Sequence, residues 1–309
     1  MSARAVRRRW QPLVRAFIRV VLAGLTGLLH RLSWSAGAEL GERLGRWAFW
    51  LLPRERRRAR SQLTRALGAE QTPAAIEGIA RACFGHLGRT LAEVLNLDRL
   101  DRAQLDALIE IDPGGLEVLR SALALGRGLL FVTGHVGNWE MMAAYVAAHG
   151  FPVNVVAAPI YDPAIETIMV GLRRRFGANT IPRGGRAGAK ALLAALRRNG
   201  IVGLLIDQDT RVDGMPVPFF GRLAYTPSGP AAIALRRGTP VVVGFATRQA
   251  NGRHRITISA PLPLPLPATG DRERDLERHT ARLTQLIEQQ IRTHPEQWVW
   301  MHNRWKRTA

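Results

Sequence analysis

A chain of 309 residues and 34.1 kDa, 47% of it hydrophobic, carries enough apolar side chain for one large core or two small ones, which excludes a disordered tail. A formal net charge of +20 and a pI near 11.7 draw phosphate-rich partners, nucleic acid or anionic lipid, and do not choose between them. Cys83 is the only cysteine, so no intrachain disulfide and no cysteine-rich metal site can form.

The N-terminus reads as a membrane attachment, residues 1–35. From Val14 to Leu32 the chain is mostly apolar, but Arg15, Arg19, His30 and Arg31 leave only Val20 to Leu29 uninterrupted. A bilayer needs about 20 apolar residues. Arg15 and Arg19 would have to reach the headgroups for a helix here to span, and Arg7, Arg8 and Arg9 would then favour a cytoplasmic N-terminus. Spanning and lying in the interface both stay open. The rival reading, a signal peptide, lacks a clear small-x-small cleavage pattern around Ser33 to Glu39.

Residues 36–120 form a helical, basic region. Trp47, Phe49, Trp50, Leu51 and Leu52 are followed at once by Arg54, Arg56, Arg57, Arg58 and Arg60. Rings settle at headgroup depth while guanidinium groups meet phosphates, so the pattern suits a segment lying in the lipid interface; the competing reading is a core helix with a solvated basic end. Thr72-Pro73 marks a helix start and Asp112-Pro-Gly-Gly115 a break.

Residues 121–309 change rhythm. Gly128–Thr133, Val153–Ala157, Ile201–Ile206 and Val241–Phe245 read as buried strands, separated by helices near Glu140–His149, Pro163–Phe176, Ala187–Asn199 and Ser228–Gly238. Repeated β-α units imply an α/β fold with a mainly parallel central sheet flanked by helices. A half-exposed strand is expected at Arg255–Ser259, an extended proline run at Pro261–Pro267, and a last helix from about Asp271 to Thr293.

The chemistry concentrates in Thr133-Gly-His-Val-Gly-Asn-Trp-Glu140, at the carboxyl end of the first buried strand, where open α/β sheets place their sites. With His135 on a loop and Glu140 in the first helical turn, the carboxylate would accept a hydrogen bond from one imidazole nitrogen and leave the other to take a proton from an alcohol. No protein nucleophile is then needed, and backbone N–H groups at the helix start are available to an oxyanion. The competing reading of such a pair is a structural histidine satisfied by its neighbour.

Other candidates follow the sheet order. Arg183 and Arg186 flank glycines, which suits phosphate capture by a planar fork. Asp207 closes the strand Ile201–Ile206 and should project near His135 if the two strands are neighbours; sugar hydroxyls, an arginine partner and a turn cap all remain open for it. Asp207 and Asp209 lack the further ligands a divalent cation needs, so no metal is expected. Asn138 joins the substrate-binding candidates. So does Phe220 of Phe219-Phe-Gly221, read either as a wall of an acyl channel or as a packed turn. Trp298, Trp300 and Trp305 should pack the last segment onto the sheet, with Arg304, Lys306 and Arg307 facing lipid phosphates or solvent. Arg173-Arg-Arg175 reads as a phosphate or carrier contact, or as a solvated face.

Taken together, these blocks resemble the His-x4-Asp/Glu motif of the glycerolipid acyltransferase superfamily and, more narrowly, the late (secondary) acyltransferases of lipid A biosynthesis. The blocks are His135–Glu140, Ile181-Pro-Arg-Gly-Gly-Arg186, Asp207-Gln-Asp209, Val217-Pro-Phe-Phe-Gly221 and Pro295-Glu-Gln-Trp-Val-Trp-Met-His302, in order over nearly the whole chain. The resemblance implies transfer of a fatty acyl group from acyl carrier protein or acyl-coenzyme A to a hydroxyl of an anionic glycolipid. It implies no cofactor, and a setting at the cytoplasmic face of the bacterial inner membrane. Phosphatidylinositol mannoside and lysophospholipid acyltransferases share the motif and stand as alternatives. A basic nucleic-acid-binding protein is a poorer reading, because no nucleic-acid motif is present and the His135 loop would go unexplained. A serine or cysteine hydrolase lacks its G-x-S-x-G elbow.

Overall fold

The computed structural model describes the backbone of residues 3–160, 162–262 and 269–308, and side chains from residue 15 onward. The N-terminal third is helical: α1 (Ala3–Leu29), α2 (Trp34–Leu51), α3 (Pro53–Leu67), α4 (Pro73–Asn96) and α5 (Arg102–Leu108). Local chemistry sets the starts of three of them. Ser33 caps α2 by accepting from the Ala36 amide, Thr72 caps α4 by accepting from Ala75, and Asp101 and Gln104 form a reciprocal capping box on α5. Helices α2 and α4 approach so closely that a Cβ on Gly45 would lie 2.2 Å from the Phe84 carbonyl oxygen, and one on Gly88 2.2 Å from that of Gly41.

The remaining elements alternate: β1 (Ile109–Ile111), α6 (Gly115–Ala124), β2 (Leu129–Thr133), α7 (Trp139–Ala148), β3 (Val153–Ala157), α8 (Pro163–Arg175), β4 (Asn179–Pro182), α9 (Gly185–Arg197) and β5 (Ile201–Leu205). A hairpin of β6 (Gly214–Phe219) and β7 (Arg222–Pro227) follows, then α10 (Gly229–Arg237), β8 (Val241–Arg248), β9 (His254–Ile258) and α11 (Arg272–Thr293). The main sheet has the order β1-β9-β8-β2-β5-β3-β4. From β8 to β4 all pairs are parallel; β9 runs antiparallel to β8, and β1 lies parallel to β9 at the edge. The mainly parallel α/β sheet read from the sequence is therefore present.

Burial on both faces explains the unbroken apolar run in β2. Leu130 and Val132 enter one core with Phe84, Leu196, Leu283 and Trp298, whereas Leu129 and Phe131 enter the other with Leu119, Met141 and Leu172. Three strand regions were not anticipated: β1, β4 and the hairpin. Pro216 and Pro218 lie within β6, which pairs with β7 alone, so each strand of this ribbon keeps an outer edge where a missing N–H is tolerated.

At the N-terminus, α1 is one continuous helix, fixed to the body by Arg19, whose Nε lies 3.0 Å from both carboxylate oxygens of Asp162. Asp162 in turn caps α8 by accepting from the Ala164 amide. Among the described residues no helix is long and apolar enough to cross a membrane, so of the two forms of attachment left open for residues 1–35, spanning finds no support in α1. The side chains of Arg7–Arg9 and residues 263–267 of the proline run lie outside the described residues.

Candidate active site

The site lies where β2, β3, β4 and β5 end. Gly134 and His135 follow β2 directly, and the neighbouring strand β5 runs parallel and in register, Thr133 opposite Leu205. Asp207, two residues past β5, therefore stands beside His135. The imidazole Nδ1 is 2.8 Å from Asp207 Oδ1, and the His135 amide donates to Asp207 Oδ2 at 2.7 Å. Trp298 Nε1 donates to the same oxygen at 2.6 Å. Burial by itself would raise the Asp207 carboxyl, but the charge and hydrogen bonds of His135, with that of Trp298, hold it down at about 2. A carboxylate on Nδ1 that stays ionised near neutral pH keeps the proton there and leaves Nε2 as the basic nitrogen.

Glu140 does not make this contact, which corrects the expectation that it steadies His135. Helix α7 turns its side chain to Arg173 of α8, with Nε to Oε2 at 2.9 Å and Nη2 to Oε1 at 2.5 Å. The pair is nearly buried, and despite that burial the carboxylate raises the Arg173 guanidinium further above its ordinary range. Arg173, read from sequence as a surface contact, is thus an internal partner. His135 and Glu140 both face one cavity, at separate points of its wall.

The loop between β2 and α7 is held by the strand and the C-terminal segment beside it. The Gly137 amide donates to the Gln297 carbonyl at 2.9 Å and the Asn138 amide to Ala246 at 2.9 Å. Gly137 has φ +67°, and a Cβ there would lie 1.9 Å from the Ala246 oxygen, so only glycine fits. A Cβ on Gly134 would meet Ile287 at 2.9 Å and Asp207 at 3.2 Å. Asn138 is wholly buried; its Oδ1 accepts from the Met141 amide and its Nδ2 donates to Glu93. It is a helix cap and a tie to the core, and does not line the cavity, contrary to the substrate-binding expectation. These bonds leave the amides of Trp139 and Glu140 as the α7 donors not engaged by Asp207, Gln297, Ala246 or Asn138.

Behind the loop lies a buried network that the sequence reading missed. Glu93 takes Arg248 Nη2 at 2.6 Å and pairs with His254 Nε2 at 3.1 Å. Burial would raise its carboxyl, but those two partners pull it far below its ordinary range. Arg248 also approaches His86 Nδ1 at 2.5 Å, which leaves His86 Nε2 to donate to the Gly137 carbonyl at 3.3 Å. Burial, then the Arg248 charge, drives His86 down to about 3, so it is neutral in the folded protein. The available signal was the spacing of His86, Thr90 and Glu93, which falls on one face of an otherwise apolar helix.

The cavity at His135 measures about 760 Å³. Arg183 and Arg186 also line it and are exposed, at the turn into α9 where Gly184 and Gly185 both take positive φ, and the Arg183 amide is tied to Ala157 at 2.7 Å. A narrower apolar pocket of about 40 Å³ runs inward between α7 and the sheet to Gly203 and Ile201, sharing Trp139, Val155 and Leu205 with the larger space. Phe220 is elsewhere. Buried at φ +51°, it donates its amide to Glu288 at 2.6 Å and lies under Arg292 at 4.6 Å, so it anchors the hairpin turn to α11 and does not line the cavity at His135.

Asp207 and Asp209 are occupied separately, Asp209 by Arg307 at 3.0 Å, with its amide donating to His302 Nε2 at 3.0 Å. Among the described residues no His, Cys, Asp and Glu group could hold a metal ion. Trp298 and Trp300 pack into the core as expected, but Arg304, expected to face outward, is fully buried against Tyr225 and Thr226, and burial lowers it to about 10.

Set against known proteins, the chain matches the family model described as "Bacterial lipid A biosynthesis acyltransferase" over residues 8–307. It is 29% identical over 186 residues to a phosphatidylinositol mannoside acyltransferase of Mycobacterium tuberculosis (strain CDC 1551 / Oshkosh), a stretch covering 59% of this chain and 58% of the relative. It is 28% identical over 182 residues to the protein of the same name from Mycolicibacterium smegmatis, covering 58% and 59%.

Proposed function

The chain belongs to the bacterial lipid A biosynthesis acyltransferase family, and we propose on that footing that it moves a fatty acyl chain from a thioester to a hydroxyl of a phosphorylated glycolipid, with His135 as general base. One observation carries the assignment of the base: the Nδ1 bond to a buried, ionised Asp207, which leaves Nε2 as the basic nitrogen of a histidine that lines the cavity. In the step itself, Nε2 takes the acceptor proton as the oxygen attacks the thioester carbonyl. The new C–O bond forms and the C–S bond breaks. The imidazolium, stabilised by Asp207, returns the proton to the departing thiolate. The amides of Trp139 and Glu140, in the first turn of α7, would offer donors to the developing oxyanion.

The surrounding groups divide the substrate between them. Arg183 and Arg186 suit phosphate, each offering a planar fork that point charges cannot match. The cavity of about 760 Å³ at His135 has the volume for an acyl tail, whereas the apolar pocket between α7 and the sheet, lined by Phe131, Met142 and Val146 among others, is at about 40 Å³ too small for more than a chain end. On this reading Glu140 and Arg173 brace the wall between the two, and the enzyme works at the cytoplasmic face of the inner membrane with acyl carrier protein or acyl-coenzyme A as donor.

The acceptor has a second reading, since the mycobacterial relatives are named for phosphatidylinositol mannoside. Purified protein would be incubated with acyl carrier protein thioesters and with acyl-coenzyme A, each with an under-acylated lipid A precursor or a phosphatidylinositol mannoside. Mass spectrometry of the lipids reads one added acyl chain. Addition to the lipid A precursor supports the first reading and addition to the mannoside the second; no addition to either overturns both.

A further inference from the structure

A second apolar space lies among the N-terminal helices. It is a groove of about 320 Å³ along α2 and α4, reached from outside past Leu44 and Leu91, with Met301 and, as its one charged lining residue, Glu55 where α3 begins. That volume is within the ~300–1,000 Å³ of ordinary ligand pockets. The groove shares no lining residue with the cavity at His135. Its floor exists because Gly41, Gly45 and Gly88 bring the two helices together without side chains.

The rim has the chemistry of a bilayer surface. Trp47 is 70% exposed and Leu51 73%, and Phe17, Val20 and Leu28 of α1 are also exposed, which is a large apolar area for a monomer to leave in water. At the Met301 end the first turns of α3 present Arg54, Arg57 and Arg58 outward, and Arg58 Nη1 reaches the Met301 carbonyl at 3.5 Å. Arg56 and Arg81 stack on Trp50 at 5.5 and 5.4 Å, holding that ring at the border of the apolar and basic zones.

We propose that this groove holds one acyl chain of an anionic glycerophospholipid, with its phosphate among Arg54, Arg57 and Arg58. The site is a lipid-binding position apart from the reaction centre. A bilayer lipid satisfies both halves of the feature at once: the chain covers Leu44, Leu87 and Leu91, and the phosphate neutralises the arginine cluster. A second copy of the chain does not, because pairing two molecules of net charge +20 through this face sets arginines against arginines.

The test uses native mass spectrometry and titration of the full chain with a short-chain phosphatidylglycerol below its micellar concentration, beside phosphatidylcholine of the same chains. Phosphatidylglycerol should bind one-to-one and at least ten times more tightly than phosphatidylcholine. Ala48→Trp, which fills the groove, and Leu91→Glu, at a half-exposed position where the charge stays hydrated in the free protein, should each weaken binding at least tenfold. Circular dichroism melting checks that both remain folded. Equal binding of the two lipids, unsaturable binding, or wild-type affinity in both variants would overturn the proposal. So would light scattering that shows a dimer dissolved by Leu91→Glu. Binding is read without turnover, so failure here and failure of the acyl-transfer reading are separate results.

Discussion

Replacing Asp207 by asparagine tests the logic of the site with almost no change of shape. Three N–H donors converge on this carboxylate: the His135 amide and Trp298 Nε1 on Oδ2, at 2.7 and 2.6 Å, and His135 Nδ1 on Oδ1, at 2.8 Å. Asparagine has one carbonyl oxygen to offer. Keeping that oxygen on the two donors at Oδ2 places the new NH2 against Nδ1, so the imidazole must accept there and carry its proton on Nε2. A ring in that tautomer has no lone pair for the acceptor hydroxyl. General-base assistance is typically worth about 10²–10⁴ in rate, and the lost stabilisation of the imidazolium puts the expected fall in kcat at the upper end, about 10³–10⁴. In energy that is about 4–5.5 kcal/mol at 1.36 kcal/mol per decade. KM should change only a few-fold, since Asp207 is buried away from substrate. Thiol release from the donor gives kcat and KM, and a melting curve guards against unfolding, because lost charge-assisted hydrogen bonds cost about 1.5–3 kcal/mol. A folded Asp207→Asn enzyme with kcat within tenfold of wild type would refute the assignment of Asp207.

Glu140→Ala leaves Arg173 buried without its partner and should destabilise the fold by about 3–5 kcal/mol in denaturant unfolding; a double Glu140→Ala/Arg173→Met variant that recovers much of the loss would identify the pair as a brace, and unchanged stability of the single variant would reject it. Gly88→Ala drives a Cβ into the Gly41 carbonyl and should cost about 1–3 kcal/mol or more, read as a lowered denaturation midpoint. His86 is held at about 3 against an ordinary 6.5, so below pH 6.5 the unfolded chain binds the proton first and stability falls as pH drops from 6.5 towards 3. His86→Gln should flatten that stretch of the stability–pH curve, and an unaltered slope would show that His86 does not set it. Asp207, depressed from 3.8 to about 2, contributes stability that is full above 3.8 and lost as pH falls towards 2, so its share of acid unfolding lies lower and overlaps that of His86 only between about 3 and 3.8.

The parallel sheet was legible because strands buried on both faces are continuous apolar runs, as in Gly128–Thr133, and the helices between them keep a helical period. The position of His135 was legible for the same reason, since a loop following such a strand opens at the edge where these sheets bind ligands. The partner of His135 was only half legible. Glu140 is close in sequence, but helix α7 points it to α8, while Asp207 lies 72 residues away and reaches His135 only because β5 pairs with β2. Strand adjacency of that kind is a property of topology and leaves no local mark. Arg173 was misread because a run of three arginines looks like a solvated face, although one of them points inward to Glu140. Phe220 and Asn138 carried distinctive neighbours in sequence, yet their distinctiveness serves a strained turn and a helix cap.

His135→Ala tests the central claim most directly. Acyl transfer from thioester to glycolipid, followed by mass spectrometry of the lipid product at matched concentrations of folded protein, should fall by about 10³-fold or more with the variant, consistent with loss of general-base assistance. Transfer by folded His135→Ala at a rate near wild type would contradict the account, because no other described group in the cavity is held by Asp207 to take that proton.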